Sequence, residues 1–191
     1  MAWNEEIKKE LGHCGEQVFI GHNVIFTNPK EIFLADRVRI DPFVMITTGL
    51  VTKSNIQICA YAMLGGGNQH TITLGEWTYI GYGSKLFCAS EDYSGEHGPV
   101  NEFWGSNEIR RGDIIFEDYS GVASDVIVFP GVVLPEGCTI GAKSLIHTKA
   151  PLMPWSVMIG TPPKVHKSRE AATVVRLGSD SKFLKDHYEE T

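Results

Sequence analysis

Between Ser120 and Ile146 the chain reads SGVASDVIVFPGVVLPEGCTIGAKSLI, with aliphatic residues at Val122, Val128, Leu134, Ile140 and Ile146. The interval is six, which neither the 3.6-residue period of a helix nor the alternation of a lone half-buried strand produces. Two places before each anchor stands a small or aliphatic residue: Ser120, Val126, Val132, Cys138 and Ser144. The same spacing recurs at Phe116, at Leu86, Ile80 and Leu74, at Leu64 and Ile58, at Ile46, Ile40 and Leu34, and at Phe26 and Ile20. A unit this short cannot enclose its own apolar face, so it is stable only when stacked on copies of itself. Side chains alternate along a strand, so each pair at i−2 and i lines one interior while the residue between faces water. Gly, Asn, Asp and Pro crowd the positions after the anchors, where the chain must bend.

The hexad therefore predicts an all-β fold, a parallel β-helix forming a single domain over residues 1–191. Three hexads close a coil, and about five or six coils stack roughly 4.8 Å apart. The coils are expected over about 18–149, with small excursions at 27–31, 47–55 and 65–71 and a long one over 88–113, followed by a tail over 150–191. Residues 3–12 read as a short helix capped by Asn4 that closes one open end. A second helix is expected between Arg169 and Tyr188, interrupted at Gly178 and Ser179.

Composition removes several classes of function. A net charge of −6 argues against nucleic acid or an anionic membrane as the main partner. No run of about eighteen apolar residues is present, and MAWNEEIKKELGHC has an acidic, helical pattern rather than the apolar core of a signal peptide. Cys14, Cys59, Cys88 and Cys138 show no CxxC spacing and read as reduced thiols in a cytoplasmic protein. No two of the seven histidines lie within eight positions of each other, so no zinc site is expected.

On its hexads, its GAKSLIHTKAPLMPW corner and its IGTPPK segment from Ile159 to Lys164, the sequence resembles the hexapeptide-repeat acyltransferases, left-handed parallel β-helices, over roughly residues 18–168. The left hand of the coil is implied by this resemblance alone. Within the family, CASEDYSGEHGPV in the long excursion is most similar to the branch that acylates the amino group of nucleotide-linked 4-amino-4,6-dideoxy sugars. The galactoside- and polysaccharide-type O-acetyltransferases, the alternative, carry a His-Pro loop with a catalytic histidine. Here the nearest histidine is His97, followed by Gly98 and Pro99.

The resemblance implies an acyl-CoA-dependent N-acyltransferase, most simply an N-acetyltransferase using acetyl-CoA, that serves surface-glycan or lipopolysaccharide biosynthesis as a homotrimer with sites between neighbouring prisms. It implies coenzyme A along the C-terminal coils, at Ala123, Ser124 and Ala142, with Lys164 and Lys167 for the phosphates and Thr148 nearby. A sugar amine bound as ammonium must lose a proton around attack. Asp92 is the first candidate to hold it, with Glu91 beside it; if Asp92 only orients the amine, the leaving thiolate is a stronger base and could take the proton. His70, in LGGGNQHTITLG, is the second catalytic candidate, with Asn68 beside it, and an equally good reading of His70 is as a turn or orienting residue. His97, Trp104 and Asn107 are substrate-side candidates. No metal is expected.

Overall fold

The structure, a computed structural model, describes residues 5–91 and 109–179. A three-sided parallel β-helix of about six turns fills most of it. Face one stacks Phe19–Ile20, Val38–Ile40, Ile56–Ile58, Tyr79–Ile80, Gly121–Val122, Thr139–Ile140 and Ser156–Gly160, all parallel. Face two stacks Ile25–Phe26, the first part of Met45–Thr52, the first part of Met63–Leu74, Lys85–Phe87, Ile127–Val128 and Leu145–Ile146. Face three stacks His13–Cys14, Ile32–Leu34, the remaining parts of the two long strands, Ile114–Phe116 and Val133–Leu134.

The hexad residues form the core as their alternation requires. Ile20, Ile40, Ile58 and Ile80 lie one above another on face one, followed by Val122, Ile140 and Met158, and all are buried. The residues between them point outward. Burying one such aliphatic side chain contributes about 1.5–3 kcal/mol, and the column repeats on each face.

Two expectations are corrected. No excursion leaves the coil at 47–55: Met45–Thr52 is one continuous strand, and Leu50 and Thr52 occupy the inward pair. Thr52 sits six residues after Ile46 and is paired with Leu74; its β-branched shape fills an anchor place although it is polar. The tail expected from residue 150 begins instead as a further rung, because Ser156–Gly160 extends face one and Pro163–Ser168 then turns back antiparallel to it.

The N-terminal helix, α1, covers Glu5–Glu10, and Asn4 lies outside the described residues. The second helix, α2, covers Ala171–Ser179. Arg169, just before α2, donates to the carbonyl oxygens of Tyr119 (2.8 Å) and Gly137 (2.6 Å) and ties the tail to the coils.

The three corners are unequal. Between faces one and two the third residue after each anchor has a positive φ: Asn23, Phe43, Tyr61, Gly83, Asp125 and Lys143. Between faces three and one the same place is held by Gln17, Arg37, Asn55, Trp77, Tyr119, Gly137 and Trp155. Aromatic residues occupy several of these left-handed positions, where the sequence reading expects small turn formers. Their rings add contacts that offset the backbone cost, as in the Phe43 and Tyr61 stack with centroids 5.2 Å apart. At the corner between faces two and three such a turn appears at Gly67 and Gly131 but does not recur on every coil. Every lengthening of a coil occurs there: the short helix Pro29–Glu31, the bulge around Gly67–His70, and the long excursion after Phe87.

Candidate active site

This open corner carries the titratable cluster. The bulge within Met63–Leu74 is held from the coil below by Thr48, whose hydroxyl lies 2.7 Å from the His70 carbonyl oxygen and 3.0 Å from that of Gly67. Gly66 has φ 148, and a Cβ there would lie 2.5 Å from Cys88 Cβ, so the coil above presses directly on the bulge. The long excursion departs from that coil through an antiparallel root, Ala89–Glu91 against Ile109–Arg111. The Gly112 N–H closes it on the Cys88 carbonyl at 3.0 Å.

Asp113 follows the root and faces the bulge. Its Oδ1 lies 3.0 Å from His70 Nδ1 and accepts the Thr71 N–H at 3.0 Å. The Thr71 amide, and secondarily His70, hold this carboxyl below the usual carboxylate range, against a smaller opposing effect of burial. Cys88 beneath the root is fully buried, and burial pushes its thiol up to about 11. It is a packing residue and not a nucleophile.

The predicted residues separate into two sets. His70 and exposed Asn68 share the bulge, half-buried Glu91 ends the first root strand, and Thr148 lies on the same corner two coils higher, with its Cγ2 3.0 Å from the place a Gly131 Cβ would take. Ala123 and Ser124, half-buried, lie on the other side of face two, at the corner between faces one and two. Exposed Ala142 stands one coil above Ser124. Lys164 is opposite Ile159 and Lys167 opposite Val157 at the end of face one, both exposed. Asp92, His97, Trp104 and Asn107 lie outside the described residues.

Asp113 and Thr48 are the residues that sequence reasoning missed. Asp113 lies 43 positions from His70, and nothing local to either announces the pairing. A groove of about 440 Å³ on face three, lined in part by Lys53, Glu117, Asp118 and Glu136, is structural. Asp118 accepts from the Glu76 N–H and Lys53, and Glu117 from the Glu136 N–H, so these carboxylates cap corners. Among the described residues no group of three or more His, Cys, Asp or Glu could hold a metal ion, and no helix is long and apolar enough to cross a membrane.

The same architecture recurs in solved proteins. AntD, an N-acyltransferase from Bacillus cereus, solved with dTDP and 3-hydroxybutyryl-CoA, matches with a TM-score of 0.80 at 28% identity over 95% of each chain. A variant of AntD holding dTDP-4-amino-4,6-dideoxyglucose and coenzyme A matches with a TM-score of 0.81. The chain has the left-handed β-helix fold of the hexapeptide-repeat acyltransferases. This β-helix is 29% identical over 172 residues to a dTDP-4-amino-4,6-dideoxy-D-glucose acyltransferase of Escherichia coli, covering 86% of the chain and 87% of the relative. A hexapeptide-repeat acetyltransferase of Vibrio cholerae shares the fold at 19% identity and a TM-score of 0.55, over 86% of the chain and 77% of its own. No family model matches the β-helix.

Proposed function

We propose that the protein is an acyl-CoA-dependent N-acyltransferase acting on the amino group of a nucleotide-activated amino-deoxy sugar, in surface-glycan biosynthesis. The observation that carries the reading is the likeness, over 95% of the chain, to AntD bound to dTDP-4-amino-4,6-dideoxyglucose and coenzyme A. The residues present fit a coenzyme A thioester. Ala123, Ser124 and Ala142 bring small side chains to successive turns of one corner, where backbone amides can be approached. Lys164 and Lys167 place cations at the end of that path for phosphates. The thioester supplies an activated acyl carbonyl with a thiolate leaving group. Asp92, which follows Glu91 directly in the sequence, holds the amine, and His97, Trp104 and Asn107 serve the nucleotide sugar.

The working unit we propose is a homotrimer. Within one prism Ala123, Ser124 and Ala142 lie at one margin of face two, and the His70 corner, with Thr148, lies at the other. A neighbouring copy that brings its own corner against the first completes three equivalent sites. The four cysteines, all free, fit a cytoplasmic enzyme.

Thiol release from acetyl-CoA and 3-hydroxybutyryl-CoA, assayed against a panel of nucleotide-linked amino sugars and their hydroxyl counterparts, tests the reading. Turnover is expected with an amine acceptor, and Asp92→Asn is expected to lose it by about 10²-fold or more. Preference for a hydroxyl acceptor would replace this reading with an O-acetyltransferase. A sedimenting species smaller than a trimer at full activity would remove the shared site.

A further inference from the structure

We propose that His70 accepts the proton of the attacking amine and that Asp113 is its positioning residue, the two forming a dyad at the open corner. The inference rests on the N-acyl-transfer reading above and assigns the proton, which that reading leaves open between a carboxylate and the leaving thiolate.

The argument begins with hydrogen-bonding capacity. An ionised carboxylate only accepts hydrogen bonds. Asp113 Oδ1 already takes the Thr71 N–H at 3.0 Å, and its other partner at 3.0 Å is His70 Nδ1, so Nδ1 must carry hydrogen. In the neutral ring the lone pair is then on Nε2. This is the arrangement a proton acceptor needs, because one ring nitrogen is anchored and the other is left basic. The Asp113 carboxyl is held below the usual range, so it stays an anion wherever the imidazole titrates.

The support extends beyond the pair. Thr48 fixes the backbone of the residue itself by approaching the His70 carbonyl oxygen at 2.7 Å. The His70 side chain is 22% exposed, so the ring is partly covered yet reachable, while the Asp113 carboxyl beside it is 60% exposed to solvent. If Asp113 were only a cap for the Thr71 amide, nothing would require the imidazole at the same oxygen. The Cys88 thiol at this corner is buried and protonated and does not compete. Among the described residues, the other charged or titratable groups on the elements around the corner are Lys85 on the strand that leads into the root, Glu91 on the first root strand, Arg110 and Arg111 on the second, and His147 and Lys149 on the coils above.

The chemistry balances without a further reactant. A sugar bound as ammonium first gives one proton to solvent, and His70 Nε2 takes a second from the neutral amine as it attacks. The nitrogen lone pair forms the C–N bond while the C–S bond breaks, and the sulfur leaves with that bonding pair. The imidazolium then returns its proton to the thiolate, giving amide, free thiol and neutral His70. Imidazoles as a class titrate near about 6.5 against about 3.9 for aspartate, so the ring can accept a proton that a carboxylate can only orient.

Steady-state thiol release with an amine acceptor, measured between pH 5.5 and 9 for the wild type, His70→Gln and Asp113→Asn, tests the dyad, with acyl-CoA binding followed by calorimetry. The expected result is a fall in kcat of about 10²-fold for His70→Gln, with KM and acyl-CoA binding unchanged. Asp113→Asn should lose less, about tenfold, and shift the acid limb of its profile. Activity of His70→Gln within twofold of wild type at every pH overturns the proposal, as does loss that merely follows lost binding. If the wild type binds acyl-CoA but acylates no amine, the acceptor reading fails first. The dyad is then judged by the ¹⁵N resonances of His70: an Nδ1–H tautomer that disappears in Asp113→Asn supports it, and an Nε2–H tautomer in the wild type overturns it.

Discussion

Asp113 accepts from the Thr71 amide and from His70, and both contacts favour its charged form. The sign of the pH dependence follows. Its folded value is depressed, so its contribution to the corner is complete above the ordinary aspartate range near about 3.9 and is lost as pH falls through the lower folded value. With a side chain 60% exposed, that contribution is small against the whole fold, but the amide next to it reports it directly. The Thr71 N–H resonance is expected to titrate with a midpoint below 3.9, and Asp113→Asn should flatten the transition. A Thr71 resonance that is indifferent to pH between 2 and 5 would show that the carboxylate is not its partner in solution. At this scale the sequence is a poor guide. His70 could be singled out because three glycines precede it nearby, whereas Asp113 looks like any acidic residue at the end of a loop. The pairing exists only because coils stack, which sets residues 43 apart in the chain side by side.

Gly66 and Gly67 both take a positive φ, 148 and 71, and differ in the space around them. At Gly66 a Cβ would stand 2.5 Å from Cys88 Cβ and 3.0 Å from its Cα, and the neighbour is anchored at the root of the long excursion. At Gly67 nothing lies within 4 Å, and only φ 71 disfavours a side chain. Gly66→Ala is therefore expected to cost several-fold more stability than Gly67→Ala, for which the left-handed conformation sets about 1–2 kcal/mol. Urea unfolding of the two variants checks the order; equal losses would mean that the contact with Cys88 relaxes freely. The strands themselves were legible, since an inward pair at i−2 and i needs no long-range information. The corners were less so. Thr52 disguised a regular rung as an excursion, because its hydroxyl breaks the aliphatic pattern while its shape preserves the packing. Phe43, Tyr61, Trp77, Tyr119 and Trp155 take left-handed turns that composition assigns to glycine or asparagine, because rings on adjacent coils can pack on one another.

Across the whole molecule, the uninterrupted coil has eighteen residues: Ile40 to Ile58, Val122 to Ile140, and Ile140 to Met158. Each rung touches only its neighbours, so stability is a sum over rungs and interfaces and not a property of one closed core. Removal of residues 123–140 joins Val122 to Gly141 and moves Ile146 into the place of Val128 and Met158 into the place of Ile140. Every inward side chain keeps its direction, and the tail keeps the Arg169 contact with Tyr119 while losing that with Gly137. This shortened chain is expected to fold as a β-helix with one rung fewer, to melt cooperatively at a lower temperature, and to bind acyl-CoA weakly, since Ala123 and Ser124 go with the coil. Removal of residues 124–140, one residue fewer, turns each later inward side chain toward solvent, because side chains alternate along a strand. That chain should show no cooperative transition by circular dichroism. If both deletions melt alike, or both fail to fold, the eighteen-residue coil is not the unit in which this molecule is assembled.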